Sequence, residues 1–129
     1  VAVQGKTMDQ GKLRAVVLVV EDESLIRMCM VEYLEDAGFE VLSAEHADEA
    51  IEVLTARLDI TVIITDVNMP GSMDGIRLAH AVRTRWPPVR IFVTSGYRWV
   101  QQNELPCGSH FFLKPYDLAR VVEALTNSA

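Results

Sequence analysis

The sequence predicts an α/β fold, a doubly wound five-stranded parallel sheet with helices on both faces. Three observations carry that expectation. Short aliphatic and aromatic runs recur along the chain, as in Val16–Val20, Ile60–Thr65, Val89–Val93 and Phe111–Leu113. Runs that are apolar throughout suit strands buried on both faces, whereas a half-wetted strand would alternate. The segments between them carry apolar residues at helical spacing, and strict alternation of strand and helix gives a parallel sheet with helices covering both faces.

Val16–Val20 is the first strand. Ser24 is placed to cap a helix running through Leu25, Met28, Cys29, Val31 and Leu34, which Gly38 stops. Glu40–Ala44 reads as the second strand and Ala47–Arg57 as a helix with Ala47, Ala50, Ile51 and Leu54 inward. After the third strand, Ile60–Thr65, the segment Asp66 to Asp74 contains Pro70 and Gly71 and reads as a loop. Gly75–Arg85 is helical through Ile76, Leu78, Ala79 and Val82, and Pro87 and Pro88 end it. Val89–Thr94 is the fourth strand. Gly96, Pro106 and Gly108 punctuate Ser95–Gly108, so the fourth helix expected there is short or irregular. Ser109–Leu113 is the fifth strand, and Tyr116–Leu125 a closing helix with Leu118, Val121, Val122 and Leu125 on one side.

A chain of 129 residues, 50% of them hydrophobic, has the size and apolar content of one domain with one sizeable core. We read residues 1–14 as a flexible tail and 15–127 as that domain. A net charge of -6 argues against nucleic-acid and anionic-membrane partners, which need a cationic surface. No apolar stretch approaches the roughly 20 residues of a membrane span and no signal pattern opens the chain, so a cytoplasmic location is expected. Cys29 and Cys107 form neither a metal-ligand spacing nor a disulfide framework, and Cys29 reads as a buried helix residue.

Chemistry in parallel α/β sheets collects at the carboxyl ends of the strands. Glu21 and Asp22 follow the first strand and Asp66 the third, so pairing those strands brings three carboxylates together. Two such charges about 4 Å apart repel by roughly 4 kcal/mol at an effective dielectric near 20, so a proton or a divalent cation is expected among them. Oxygen donors that leave room for water suit Mg2+, with Mn2+ as a substitute. The ion would let the Asp66 carboxylate attack an anionic phosphoryl group. Thr94 and Lys114 end the fourth and fifth strands and can hold phosphoryl oxygens. Taken singly, each is as readily a strand-end hydroxyl and a solvated lysine. Pro115 suits a sharp turn after Lys114, sometimes through a cis bond.

In order and spacing, VVLVVEDE, VIITDVNMPGSMDG, IFVTSGY and FFLKP make the chain resemble the receiver domain of two-component response regulators, from about Ala15 to Leu125. The resemblance implies a flavodoxin-like sheet of order 2-1-3-4-5 and phosphoryl transfer to Asp66 from a histidine kinase or a histidine phosphotransfer protein. It further implies Mg2+ bound by Asp22 and Asp66 directly, by Glu21 through water and by the Asn68 backbone carbonyl. Thr94 and Lys114 match the family's phosphoryl-sensing pair, and Thr94, Phe111 and Pro115 its switch positions, with Phe112 plain core. The loop after Asp66 is one residue longer than the commonest form, and Thr94 and Lys114 lie about two residues closer. That shortening is similar to a receiver subgroup with a degenerate fourth helix, although Ser95 departs from its pattern.

The resemblance leaves a stand-alone switch, a phosphate sink, or the receiver segment of a larger hybrid kinase or regulator as readings. A stand-alone switch leads, because no effector domain follows Ala129. An aspartyl-nucleophile phosphatase of the haloacid-dehalogenase type would need an acid at Asn68. A flavin binder would not place Glu21, Asp22 and Glu23 where a phosphate must sit. His46, His80 and His110 read as surface or packing residues, and Arg83, Arg85 and Arg90 around Trp86 as a solvated helix end. Trp99 reads either as an exposed anchor for a partner or as a cover over the shortened connection.

Overall fold

The computed structural model describes residues 15–96 and 99–127. The tail expected over 1–14 and the pair Tyr97-Arg98 lie outside the described residues. Five parallel strands, β1 (Val16–Val20), β2 (Glu40–Ala44), β3 (Val62–Asp66), β4 (Arg90–Ser95) and β5 (His110–Leu113), form one sheet of order β2-β1-β3-β4-β5. The helices are α1 (Ser24–Asp36), α2 (Ala47–Ala56), α3 (Gly75–Arg85) and α4 (Leu118–Asn127). The flavodoxin-like topology is the expected one.

The strands face two ways at period two, and each face has its own core. Leu18, Val20, Ile63, Ile91 and Val93 pack with Ala47, Ala50 and Leu54 of α2 and Leu78, Ala79 and Val82 of α3. Val17, Val19, Val62, Ile64 and Phe92 pack with Met30 and Leu34 of α1 and Val121 and Leu125 of α4. In the central strands β1 and β3 every residue is buried, which is why their sequences lack alternation.

Several local expectations are corrected. Ser24 is the first residue of α1; Glu23 takes the cap position and makes no side-chain cap bond. Met30 and Leu34 are the residues α1 buries, while Leu25, Met28 and Cys29 are exposed. Cys29 is therefore not a core residue. Apolar residues run almost all the way round this helix, so their spacing could not choose the face. Asp66 ends β3 instead of opening the loop, because its strand pairs with β4 as far as Thr94. The closing helix starts at Leu118, where Asp117 Oδ1 accepts from the Ala119 N–H at 2.9 Å and satisfies an otherwise orphaned donor.

Between β4 and β5 the described residues hold only a 3-10 turn, Gln102–Glu104. Val100 and Leu105 nevertheless sink into the core on the α2/α3 face, so this irregular connection fills part of the space a full helix would cover.

The arginine cluster is not simply a solvated helix end. Arg83 donates to the carbonyls of Pro87 and Val89 at 2.8 and 3.1 Å. Arg90, lying over Phe92 on the α1/α4 face, donates to the carbonyls of Leu125 and Ala124 at 3.0 and 2.9 Å, near the end of α4 where orphaned carbonyls attract a cation. Arg85 alone keeps the expected setting, 4.5 Å above the Trp86 ring. The histidines do structural work: His46 caps α2, His80 meets the Glu104 carbonyl and His110 stacks on Phe92.

Candidate functional site

Because β1, β3, β4 and β5 run parallel and in register, their carboxyl ends share one edge of the sheet. Pairing of β1 with β3 sets Val20 beside Thr65, so Glu21, Asp22 and Asp66 converge immediately beyond. Each of these carboxyl groups offers an oxygen, and the three oxygens lie within 4.8 Å of one another. Glu21 and Asp66 are buried, at 4% and 5% exposure, while Asp22 is exposed. Register between β3 and β4 puts Thr94 beside Asp66, and the Val67 N–H donates to the Thr94 carbonyl at 2.8 Å.

Lys114, just past β5, reaches back over this rim. Its backbone N–H donates to Ser95 O at 2.8 Å, and its Nζ lies 3.1 Å from Glu21 Oε1 and 3.3 Å from Asp66 Oδ1. The Lys114-Pro115 bond is cis. Only the Glu21 contact is also a well-aligned hydrogen bond; Asp66 Oδ1, though inside ion-pair range, has no hydrogen-bond partner. A buried carboxylate oxygen in that condition is costly unless something else binds it.

The charges respond accordingly. Burial pushes the Asp66 carboxyl above its ordinary range, against the pull of Lys114 and with a further push from Asp22. Burial also raises Glu21, opposed by the Glu23 N–H that donates to its Oε2 at 3.2 Å and reinforced by Asp66. For Lys114, burial alone would lower the ammonium, but Glu21 and Asp66 outweigh it and hold it above its usual value.

On the Asp22 side an open polar cleft of about 390 Å³ runs past Asp66, Asn68 and Asp74. Carboxylate oxygens on a half-buried floor, with open space for water beside them, fit a small hard dication such as Mg2+. Asn68 borders the same cleft.

On the other side of Lys114, an apolar cleft of about 580 Å³ includes Leu25, Cys29, Pro115 and Tyr116. Phe111 is half-buried against the α2/α3 core, and the indole of Trp99 meets its ring edge-on at 5.2 Å. Trp99 is 65% exposed, so it covers Phe111 without being buried itself. Phe112, also half-buried, packs on the opposite face beside Phe92, at the edge of that core.

Sequence reasoning missed Arg27, whose Nη1 donates to the Glu21 carbonyl at 2.8 Å and whose Nη2 lies 3.8 Å from Glu45 Oε2. No spacing rule singles out a residue that acts on a neighbouring backbone. It also missed Gly75, whose Cα faces the Asp66 peptide so closely that any side-chain carbon at this position would collide with it.

A family model described as the response regulator receiver domain matches residues 17–126. The response regulator protein FleR of Pseudomonas aeruginosa is 31% identical over 120 residues, which are 91% of this chain and 25% of that protein. Chemotaxis protein CheY1 of Helicobacter pylori is 37% identical over 105 residues, 77% of this chain and 84% of CheY1. A response regulator receiver protein from Sinorhizobium medicae superposes with a TM-score of 0.82 at 25% identity, covering 89% of this chain and 94% of that one. The chain spans about a quarter of the length of several curated relatives it matches. It belongs to the receiver domain family of two-component response regulators.

Proposed function

We propose that this receiver is a phospho-acceptor switch in which Asp66 takes a phosphoryl group from a phosphohistidine of a histidine kinase or a histidine phosphotransfer protein. The buried Asp66 carboxylate, which lies among oxygens of Glu21 and Asp22 and whose Oδ1 is held by Lys114 at 3.3 Å, is the observation that carries this reading. An Asp66 oxygen forms the new bond to phosphorus as the phosphorus–nitrogen bond breaks. The leaving imidazole keeps that electron pair and is protonated, and the product is an acyl phosphate. Asp22, Asp66 and the Asn68 carbonyl would hold Mg2+ or Mn2+, with Glu21 acting through water. When bound, the ion neutralises charge shared between the carboxylates and the incoming phosphoryl oxygens.

The chain's own groups do the rest. Lys114 Nζ stands within reach of Asp66 Oδ1, so it is placed to follow the phosphoryl oxygens once the carboxylate is phosphorylated. Thr94, next to last in the neighbouring strand and paired with Asp66, supplies a hydroxyl on the same rim. When Thr94 follows the phosphoryl group, Phe111, which lies on β5 beside Val93, and its cover Trp99 are the groups placed to repack. Exposed Leu25, Met28 and Cys29, close to the apolar cleft beside Lys114, offer surface to the phosphoryl donor protein. The domain is thereby regulatory, and apart from accepting the phosphoryl group from its protein donor it phosphorylates itself from small donors and slowly dephosphorylates itself.

Phosphoramidate, a small donor with a phosphorus–nitrogen bond, tests the reading. Labelling should require Mg2+, stop with a chelator and be released by hydroxylamine, as an acyl phosphate is. Labelling that survives hydroxylamine would place the phosphoryl group on another type of residue.

A further inference from the structure

The Asp66 backbone carbonyl is gripped from two sides. Thr65 Oγ1 donates to it at 3.0 Å. From the opposite element, a Cβ built on Gly75, the first residue of α3, would lie 1.9 Å from Asp66 O, 2.7 Å from Asp66 C and 2.9 Å from Val67 Cα. Contacts under 3.0 Å are essentially never found for real Cβ atoms, so with any side chain at 75 the two backbones must part by at least 1.1 Å at the carbonyl. The neighbouring bonds leave little slack: Val67 N–H donates to Thr94 O at 2.8 Å and Gly75 N–H to Val67 O at 2.9 Å. Asp74 Oδ1 accepts from the Arg77 N–H at 2.9 Å and fixes the start of the helix.

From this geometry we infer that Thr65 and Gly75 are positioning residues that aim the Asp66 carboxylate, by clamping the peptide that follows it between β3 and the amino end of α3. The inference rests on the phospho-acceptor reading of Asp66 and names what holds that acceptor in register. Because β3 is buried and paired on both sides, the clash in a residue-75 variant is relieved by moving α3 and the loop before it or by tilting the Asp66 peptide. The first shift carries Asn68 away from the carboxylates and the second turns Asp66 itself. Either displacement is of the size that costs up to 10²-fold in a reaction that depends on alignment.

Gly71 supplies an internal control. It lies in the same loop with φ +107°, and a Cβ there would meet nothing within 4 Å. Gly71→Ala strains the backbone without touching Asp66. Gly75→Ala, Gly71→Ala and Thr65→Val are compared with wild type for urea stability, for Mn2+ affinity of the folded protein by the loss of free-ion electron resonance, and for labelling rate with acetyl phosphate. Gly75→Ala should bind Mn2+ at least 10-fold more weakly and label at least 10-fold more slowly. Thr65→Val should lose several-fold in labelling rate, while Gly71→Ala loses stability and keeps both activities within twofold of wild type. A folded Gly75→Ala with wild-type affinity and rate would overturn the inference. If Gly75→Ala does not fold, a Thr65→Val protein that labels at the wild-type rate overturns it instead. Failure of wild type itself to take up label would count against the acceptor reading and is distinguishable from both results.

Discussion

Removing the acceptor's charge should make the metal-free protein more stable. Asp66 carries a buried carboxylate within 4.8 Å of oxygens from Glu21 and Asp22. At an effective dielectric near 20, a carboxylate pair at that distance repels by about 3.5 kcal/mol, and solvent reduces the pair with exposed Asp22 to about 1 kcal/mol. Against this stands Lys114, whose attraction at 3.3 Å is worth about 5 kcal/mol on the same scale. These charge terms nearly cancel. Burial of the carboxylate then decides the sign, and it is the largest influence on Asp66. Asp66→Asn keeps the shape and removes the charge, so without metal it should gain about 1–2 kcal/mol. Mg2+ at ten times its dissociation constant adds about 1.4 kcal/mol to the wild type, and the variant, having lost a ligand, should gain much less. Urea denaturation near neutral pH, with chelator and then with MgCl2, reads both effects. An Asp66→Asn protein less stable than wild type in chelator would refute the balance of forces described here, as would an equal response of the two proteins to Mg2+.

The same carboxyl groups make the stability difference depend on pH. Glu21 and Asp66 are raised in the folded protein, so the stability they confer is present below their unfolded values near 4 and is lost as pH rises through the folded ones. The metal-free advantage of Asp66→Asn should therefore grow from about pH 4.5 to pH 7.5, and Mg2+ affinity of the wild type should rise over the same interval; a flat difference in urea midpoints would exclude this linkage. Lys114→Ala removes a cation that competes for Asp66 Oδ1, so calorimetry should find tighter Mg2+ binding together with slower labelling at Asp66. Weaker metal binding in that variant would mean that the ammonium organises the metal site. Arg90→Met loses two bonds to carbonyls near the end of α4 and its stacking 5.2 Å from the Phe92 ring. It should cost about 2 kcal/mol and speed amide exchange in α4 while leaving α2 protected; uniform exchange throughout would contradict a local role.

The sheet was legible because its central strands are almost entirely apolar, and the site because the ends of four strands, β1, β3, β4 and β5, carry residues suited to phosphoryl chemistry. Glu21, Asp22, Asp66, Thr94 and Lys114 meet once the parallel order is known, since their places depend on register alone. Features that depend on three-dimensional approach were not legible. Apolar residues on nearly every side of α1 obscure its inward face, so the spacing puts Cys29 in the core although it is exposed. Arg90 looks like part of a surface cluster because its partners, Ala124 and Leu125, are 34 and 35 residues away. Gly75 reads in the sequence only as the first residue of a helix, and its use becomes apparent when the Asp66 carbonyl is found against it.

The most direct test is intact mass after acetyl phosphate treatment, with and without Mg2+, on wild type and Asp66→Asn in parallel. One Mg2+-dependent phosphoryl addition to the wild type and none to the variant is the expected result. An equal addition to Asp66→Asn would contradict Asp66 as the acceptor.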